Sequence, residues 1–148
     1  MEKITKKAQV VIVASDPEHQ SFSFLLLKTN EKRGSFWQNV TGKLEDNETY
    51  EEGGLREAIE ETNLKVEAII DVLSLGLRYD FTDQRNRNVH EESFMIIMES
   101  KWEVKIDPHE HQDFKWVSIE DLRENVVKHN SNHETLKKAK SLLGKWGK

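Results

Sequence analysis

The chain contains no cysteine. That excludes a disulfide framework and any thiolate metal centre. Stability must come from a buried core, and 148 residues are enough to build one. No run approaches the roughly 20 apolar residues that span a bilayer. The start, MEKITKKAQVVIVAS, lacks a long apolar segment ending in small residues, so it does not read as a signal peptide. Basic charge is short as well: 22 Lys and Arg stand against 27 Asp and Glu, a net charge of −5. Such a field does not draw nucleic acid, and neither a nucleic-acid nor a membrane partner is expected. The default expectation is one cytoplasmic domain over residues 1–148. Repeats, low-complexity tracts and linkers are missing too. Nothing in the sequence sets an oligomeric state.

What is present begins with apolar runs. AQVVIVAS (8–15) reads as a buried strand, Asp16, Pro17 and Glu18 as a turn, and FSFLLLK (22–28) as the return strand. TNEKRGS (29–35) reads as a polar loop and FWQNVTG (36–42) as a short strand closing on glycine. Residues 66–81 read as one or two strands, 82–91 as a mobile polar loop, 92–99 and 113–118 as further strands. A short helix is expected after Ser118. A last helix follows, opened by a capping box of Ser131 and Glu134, with Leu136, Ala139 and Leu143 inward. Strands on both sides of a central helix, with a terminal helix, imply a mixed sheet between helices, an α/β fold.

The central helix carries the chemistry. Thr49 and Glu52 form a capping box at its start. Leu55, Ala58, Ile59 and Thr62 fall at i, i+3, i+4 and i+7 and make the buried stripe. Gly53 and Gly54 cost roughly 1 kcal/mol each against alanine, so they are expected to permit a close backbone approach. Glu57, Glu60 and Glu61 fall opposite the stripe. The plain reading of such a face is a solvated surface, because glutamate is a favoured helix former. Three features argue for more. Like charges at i, i+3 and i+4 repel. Arg56 lies four residues from both Glu52 and Glu60 and can fix a carboxylate by a two-pronged pair. Gly42 ends the preceding strand where a free carbonyl would complete an all-oxygen site for a hard cation.

The window from Gly42 to Leu64 resembles the Nudix box: Gly, five residues, Glu, seven residues, then Arg-Glu-apolar-any-Glu-Glu-any-Gly-apolar. Gly42, Glu48, Arg56, Glu57, Ala58, Glu60, Glu61 and Leu64 fit it. Asn63 alone departs, standing where the family has glycine, and asparagine also tolerates a left-handed cap. The resemblance implies an α/β/α sandwich and a hydrolase of phosphoric anhydrides that depends on Mg²⁺ or Mn²⁺. It implies Glu57, Glu60, Glu61 and the Gly42 carbonyl as metal ligands. Arg56 would orient a glutamate, and Glu48 would support the loop. The general base stays open between Glu57 and a glutamate outside the box.

The box names a reaction and leaves the substrate open. FWQ-x-VTG, ESF, EHQDFKW (110–116) and NSNHETL (130–136) are similar to the branch of the family that cleaves dihydroneopterin triphosphate, a folate-pathway compound, releasing pyrophosphate. That similarity implies Glu110 as a further metal ligand and Thr41, Lys7 and Arg78 as substrate contacts. Arg85 and Arg87 are weaker candidates to close over a substrate. Nucleoside or deoxynucleoside triphosphates, dinucleoside polyphosphates, and a silent nucleotide sensor remain alternatives. His90, His109 and His111 match no familiar zinc spacing.

Overall fold

The structure, a computed structural model, describes residues 3–146. Its centre is β1 (Ile4–Asp16), whose β-branched run makes a long strand buried on both faces. Along residues 4–14 it pairs in parallel with β6 (Asn88–Met98). Its other side is shared. Residues 12–16 pair with β2 (Ser21–Thr29), and residues 7–10 with β4 (Val40–Lys43), both antiparallel. β2 also pairs with β3 (Trp37–Gln38) and β7 (His111–Ser118), while β5 (Ile69–Thr82) closes the sheet beyond β6. The sheet has seven strands of mixed direction, and it forks where β2 leaves β1 and β4 replaces it.

Strand alternation builds two cores. Val11, Val13, Phe24, Leu26, Met95 and Ile97 pack under α2 (Asn130–Leu143). Val10, Ile12, Leu25, Leu27, Ile96 and Met98 pack under α1 (Tyr50–Thr62). Each such side chain contributes about 1.5–3 kcal/mol when fully buried. The result is the expected α/β/α sandwich.

α1 starts and stops where the residues predict. Thr49 accepts from the Glu52 amide, and the Glu52 carboxylate accepts from the Thr49 amide. Asn63 takes φ 60° and ψ 29°, and its N–H closes on the Ile59 carbonyl. The expected stripe meets the core, Leu55 and Ile59 packing against it, but the glycines and Glu61 join it. Gly53, Gly54, Ala58, Glu61 and Thr62 are the buried positions, while Leu55 and Ile59 are only half-buried. A Cβ on Gly54 would lie 3.0 Å from Val10 Cγ2 and 3.3 Å from Ala8 Cβ; one on Gly53 would lie 2.8 Å from Leu44 Cγ. The glycines let the helix backbone drop onto β1 and the β4 exit. This turns Glu61 inward instead of opposite the stripe.

Three other expectations fail locally. Residues 82–91 are not a mobile loop. β5 and β6 extend into them and leave a tight turn at 83–87, where Asp83 accepts from the Arg85 and Arg87 amides and pairs with Arg87 Nε at 2.8 Å. The short α-helix expected after Ser118 is not formed; a turn held by Asp121 and Ser118 leads to a 3-10 turn at Glu124–Val126. α2 begins at Asn130 with His129 at the cap and no side-chain cap bond, so Ser131 lies inside the helix and makes no capping box with Glu134; Asn132 accepts from the Asn39 amide at 2.8 Å. Among the described residues no helix is long and apolar enough to cross a membrane.

Replacing Gly54 by valine forces α1 away from β1. The expected loss is about 1–3 kcal/mol, read as a lower urea midpoint. An unchanged midpoint would show that the close approach is not needed for stability.

Candidate active site

Arg56 organises the acid cluster. Its Nε and Nη2 donate to the two oxygens of Glu48 at 2.8 and 3.0 Å. Nη1 donates to Glu57 at 3.0 Å and Glu60 at 3.1 Å, and Nη2 also reaches the Lys43 carbonyl at 2.9 Å. A planar fork with several fixed donors suits such a task, where a lysine's point charge does not. Glu48, held below the usual carboxylate range first by Arg56, also accepts from the Glu45 amide at 2.6 Å. One guanidinium thus ties the Gly42–Glu48 loop to α1. Glu52, the other expected partner of Arg56, is occupied by the cap.

Glu57 is carried over Gly42. A Cβ there would fall within 2.5 Å of Glu57 Oε2 and closer still to its carboxyl carbon. Only glycine leaves room for that carboxylate. Burial raises the Glu57 pKa; Arg56 opposes, and Glu60 and Glu110 add to the rise. Glu61, at 2% exposure, is raised well above the usual range, first by burial and then by Glu57 and Glu110. Arg33 opposes that shift. Glu110 comes from the turn before β7. Glu61, Glu110 and His111 each offer an atom within 4.8 Å of the others. Glu61 Oε2 and His111 Nδ1 are buried without a hydrogen-bond partner.

Glu61, Glu110 and His111 thus form one group, and Glu57, seated over Gly42, is coupled to it by charge. Glu60 lies on the outer flank, 55% exposed in its side chain and paired with Arg56. A buried carboxylate with an unused oxygen, next to two more carboxylates, is a set of hard donors that suits Mg²⁺ or Mn²⁺. A shallow cleft lined by Lys43, Leu44, Glu45, Asp46, Arg56 and Glu57 opens beside it.

The other expected contacts divide. Thr41 pairs with Gln9 in the ladder, and Lys7 is two residues along from Gln9. All three face the α2 side, around the β4 strand from the carboxylates. There Gln9, Asn39 and Glu91 form a buried chain: Asn39 Nδ2 donates to Gln9 Oε1 at 2.8 Å, and Gln9 Nε2 to Glu91 Oε1 at 2.7 Å. Burial lowers the Lys7 pKa, assisted by Arg87, against the pull of Glu91. Arg78 stands elsewhere, 72% exposed and 3.9 Å from Glu92, beside His90. Arg87 is committed to Asp83.

Residue-by-residue reading misses Arg33 and His111. Arg33 is exposed, forms no ion pair among the described residues, and its charge is felt at Glu61, His111 and Lys7. Its turn is stitched to the Glu110 turn: the Asn30 amide donates to the Glu110 carbonyl at 3.1 Å, and Asn30 Nδ2 to the His109 carbonyl at 2.8 Å. A capping asparagine at 30 and a glycine at 34 were the available local signals, but the partner turn lies 79 residues away. His111, set aside as lacking a zinc spacing, sits among the carboxylates as a single histidine.

The α/β/α sandwich thus carries a cleft lined by acids against a glycine. The NUDIX domain family model matches residues 5–139, and the chain belongs to the Nudix family. It is a Nudix hydrolase, an enzyme that acts on phosphoric anhydrides. Among solved structures it is similar to a Nudix hydrolase of Listeria monocytogenes (25% identity, 94% of each chain, TM-score 0.78). Ap4A hydrolase of C. elegans shares the fold (21% identity, 96% of this chain and 99% of that one, TM-score 0.76). So does dihydroneopterin triphosphate pyrophosphohydrolase of E. coli (23% identity, 89% and 92%, TM-score 0.73). A curated relative, the octanoyltransferase of Myxococcus xanthus, is 30% identical over 118 residues, and the chain spans 31% of its length.

His90 gives a pH test outside this cluster. Its hydrogen bonds to Asp80 and then Glu92 raise its pKa above 6.5. The folded state then holds the proton more tightly than the unfolded chain. The contribution is full below the ordinary histidine value and is lost as pH rises through the raised one. Between about pH 6 and about pH 8 the wild type is expected to lose more stability than His90→Gln, by urea midpoints. Equal losses would remove His90 from that dependence.

Proposed function

We propose that this chain is a divalent-metal-dependent pyrophosphohydrolase that cleaves a triphosphate, dihydroneopterin triphosphate foremost, and releases pyrophosphate. The observation that carries the metal reading is the grouping of Glu61, Glu110 and His111 with Glu61 Oε2 unpartnered, coupled by charge to Glu57, which is seated over Gly42. Glu57, Glu61, Glu110 and the Gly42 carbonyl would hold the cation, Mg²⁺ or Mn²⁺, with Glu60 on the outer side. When bound, such an ion offsets phosphate charge and makes water a better nucleophile near neutral pH.

The chain's own groups do the remaining work. Arg56 fixes the Glu57 carboxylate so that it does not have to be ordered during reaction. Glu57 or Glu110 accepts the proton of the attacking water as the phosphorus–oxygen anhydride bond breaks. Arg33 and Lys7 offer positive charge to the phosphates on the two sides of β4. That partly offsets the net charge of −5.

Support for a pterin-like ring comes from FWQNVTG and from the polar end of the α2 face. Gln9, Asn39 and Glu91 lie there behind Thr41 and Lys7, and Asn39 Oδ1 has no partner. Amide and carboxylate oxygens suit the donor-rich edge of a 2-amino-4-oxo pyrimidine ring. A guanine nucleotide presents the same edge, so nucleoside triphosphates are the second reading.

A panel of pterin triphosphate, nucleoside triphosphates and dinucleoside polyphosphates with Mg²⁺ separates these readings. Turnover is expected to be fastest on the pterin compound, with pyrophosphate rather than orthophosphate released. Faster turnover of a nucleotide would replace that substrate. Glu61→Gln keeps the shape of a buried side chain and is expected to lower turnover by at least about 100-fold while the protein stays folded by circular dichroism. Full activity in that variant would sink the metal assignment.

A further inference from the structure

We propose that His111 is a positioning residue for Glu61: clamped by Gln38, its ring holds one carboxylate oxygen and leaves the other for the cation. This role rests on the metal-dependent reading above and deepens it.

The placement of His111 is a product of one bulge. In β7, Phe114 and Trp116 point to the α1 side, where they pack with Leu27. Strict alternation would send His111 to the other face. Between Lys28 and Thr29 the register slips: Lys28 pairs with Asp113, but Thr29 pairs with His111. The extra residue, Gln112, bulges out, and its side chain caps the Thr29 carbonyl at 2.9 Å. A bulge of this kind re-aims the side chain beyond it. His111 therefore joins Leu27 and Thr29 on the α1 side, facing Glu61.

Gln38 arrives there by pairing with Leu27. Its Nε2 donates to His111 Nε2 at 3.1 Å. An imidazole that accepts at Nε2 carries its proton at Nδ1 when neutral. A ring that accepts at Nε2 leaves that nitrogen unprotonated and is therefore neutral. The Nδ1–H then looks toward Glu61 Oε1, 3.7 Å away. That is longer than a hydrogen bond, and Nδ1 is otherwise without a partner. A small rotation of the Glu61 carboxylate closes the gap and fixes which oxygen remains free. A neutral donor suits this task. It orients the carboxylate without cancelling the negative charge that a cation needs, as outer partners of metal-binding carboxylates do.

The test is a titration of Mn²⁺ alone into the full chain, followed by electron paramagnetic resonance. The proteins are wild type, His111→Ala, His111→Asn, Gln38→Leu and Glu61→Gln, each checked for folding without metal. His111→Ala is expected to weaken Mn²⁺ binding about 10–100-fold. His111→Asn, which keeps a neutral N–H, is expected to recover most of it. Gln38→Leu, a gentler change behind the ring, is expected to weaken binding in the same direction. Wild-type Mn²⁺ is expected to show no nitrogen coupling. Such coupling would make the ring a direct ligand and overturn the positioning role. Loss of binding in Glu61→Gln with none in His111→Ala would overturn the positioning role alone. Absence of Mn²⁺ binding in the wild type would overturn the metal reading itself, and the role with it.

Discussion

The site depends on how closely α1 lies on the sheet. Gly53 and Gly54 let the helix backbone settle against Leu44, Val10 and Ala8, at distances where a Cβ would collide. Gly42 does the same from the sheet side by leaving room for the Glu57 carboxylate. Three glycines in two elements remove the spacing that side chains would impose. The acidic flank of α1 is thereby pressed into the fork between β2 and β4. Each glycine costs chain entropy, and the return is a set of carboxylates held where they repel one another.

That repulsion is the second governing fact. Burial, and then mutual charge, raises the pKa values of Glu57 and Glu61. Arg56 neutralises the outer part of the cluster, touching Glu48, Glu57 and Glu60 together. It does not reach Glu61, whose Oε2 stays unpartnered. Unsatisfied buried polar atoms are costly and uncommon. Here Glu61 Oε2 is one of them, in the group with Glu110 and His111, and the proposed cation site rests on it.

Much of this was legible residue by residue. The capping box at Thr49, the asparagine at the end of α1 and the tie of Arg56 to Glu60 follow from spacing within one helix. The strands follow from apolar runs. Local rules failed elsewhere. The chain enters α2 at Asn130, so Ser131 lies inside the helix and not at its cap. Asp83 gathered the amides of its own turn and converted an expected loop into a hairpin. Alternation misplaces His111, because the bulge at Gln112 shows only once β7 is paired with β2. The helical stripe faces the core as its pattern predicts, but a hydrophobic pattern cannot register that glycines, not Leu55 and Ile59, set the face of closest approach.

The chain's own order of residues determined the family, since a glycine, an arginine and glutamates stand at the spacing of the Nudix box in one loop and one helix. It also determined the sandwich, through strands buried on both faces. Tertiary structure alone decided which acids meet. Glu61 turned inward, Glu60 stayed on the rim, and Glu110 arrived from a turn tied to Asn30. It also put Thr41 and Lys7 on the face opposite the carboxylates, and Arg78 beside His90. The reason is physical: periodicity fixes relations within an element, whereas close approach, bulges and paired turns fix relations between elements far apart in the chain.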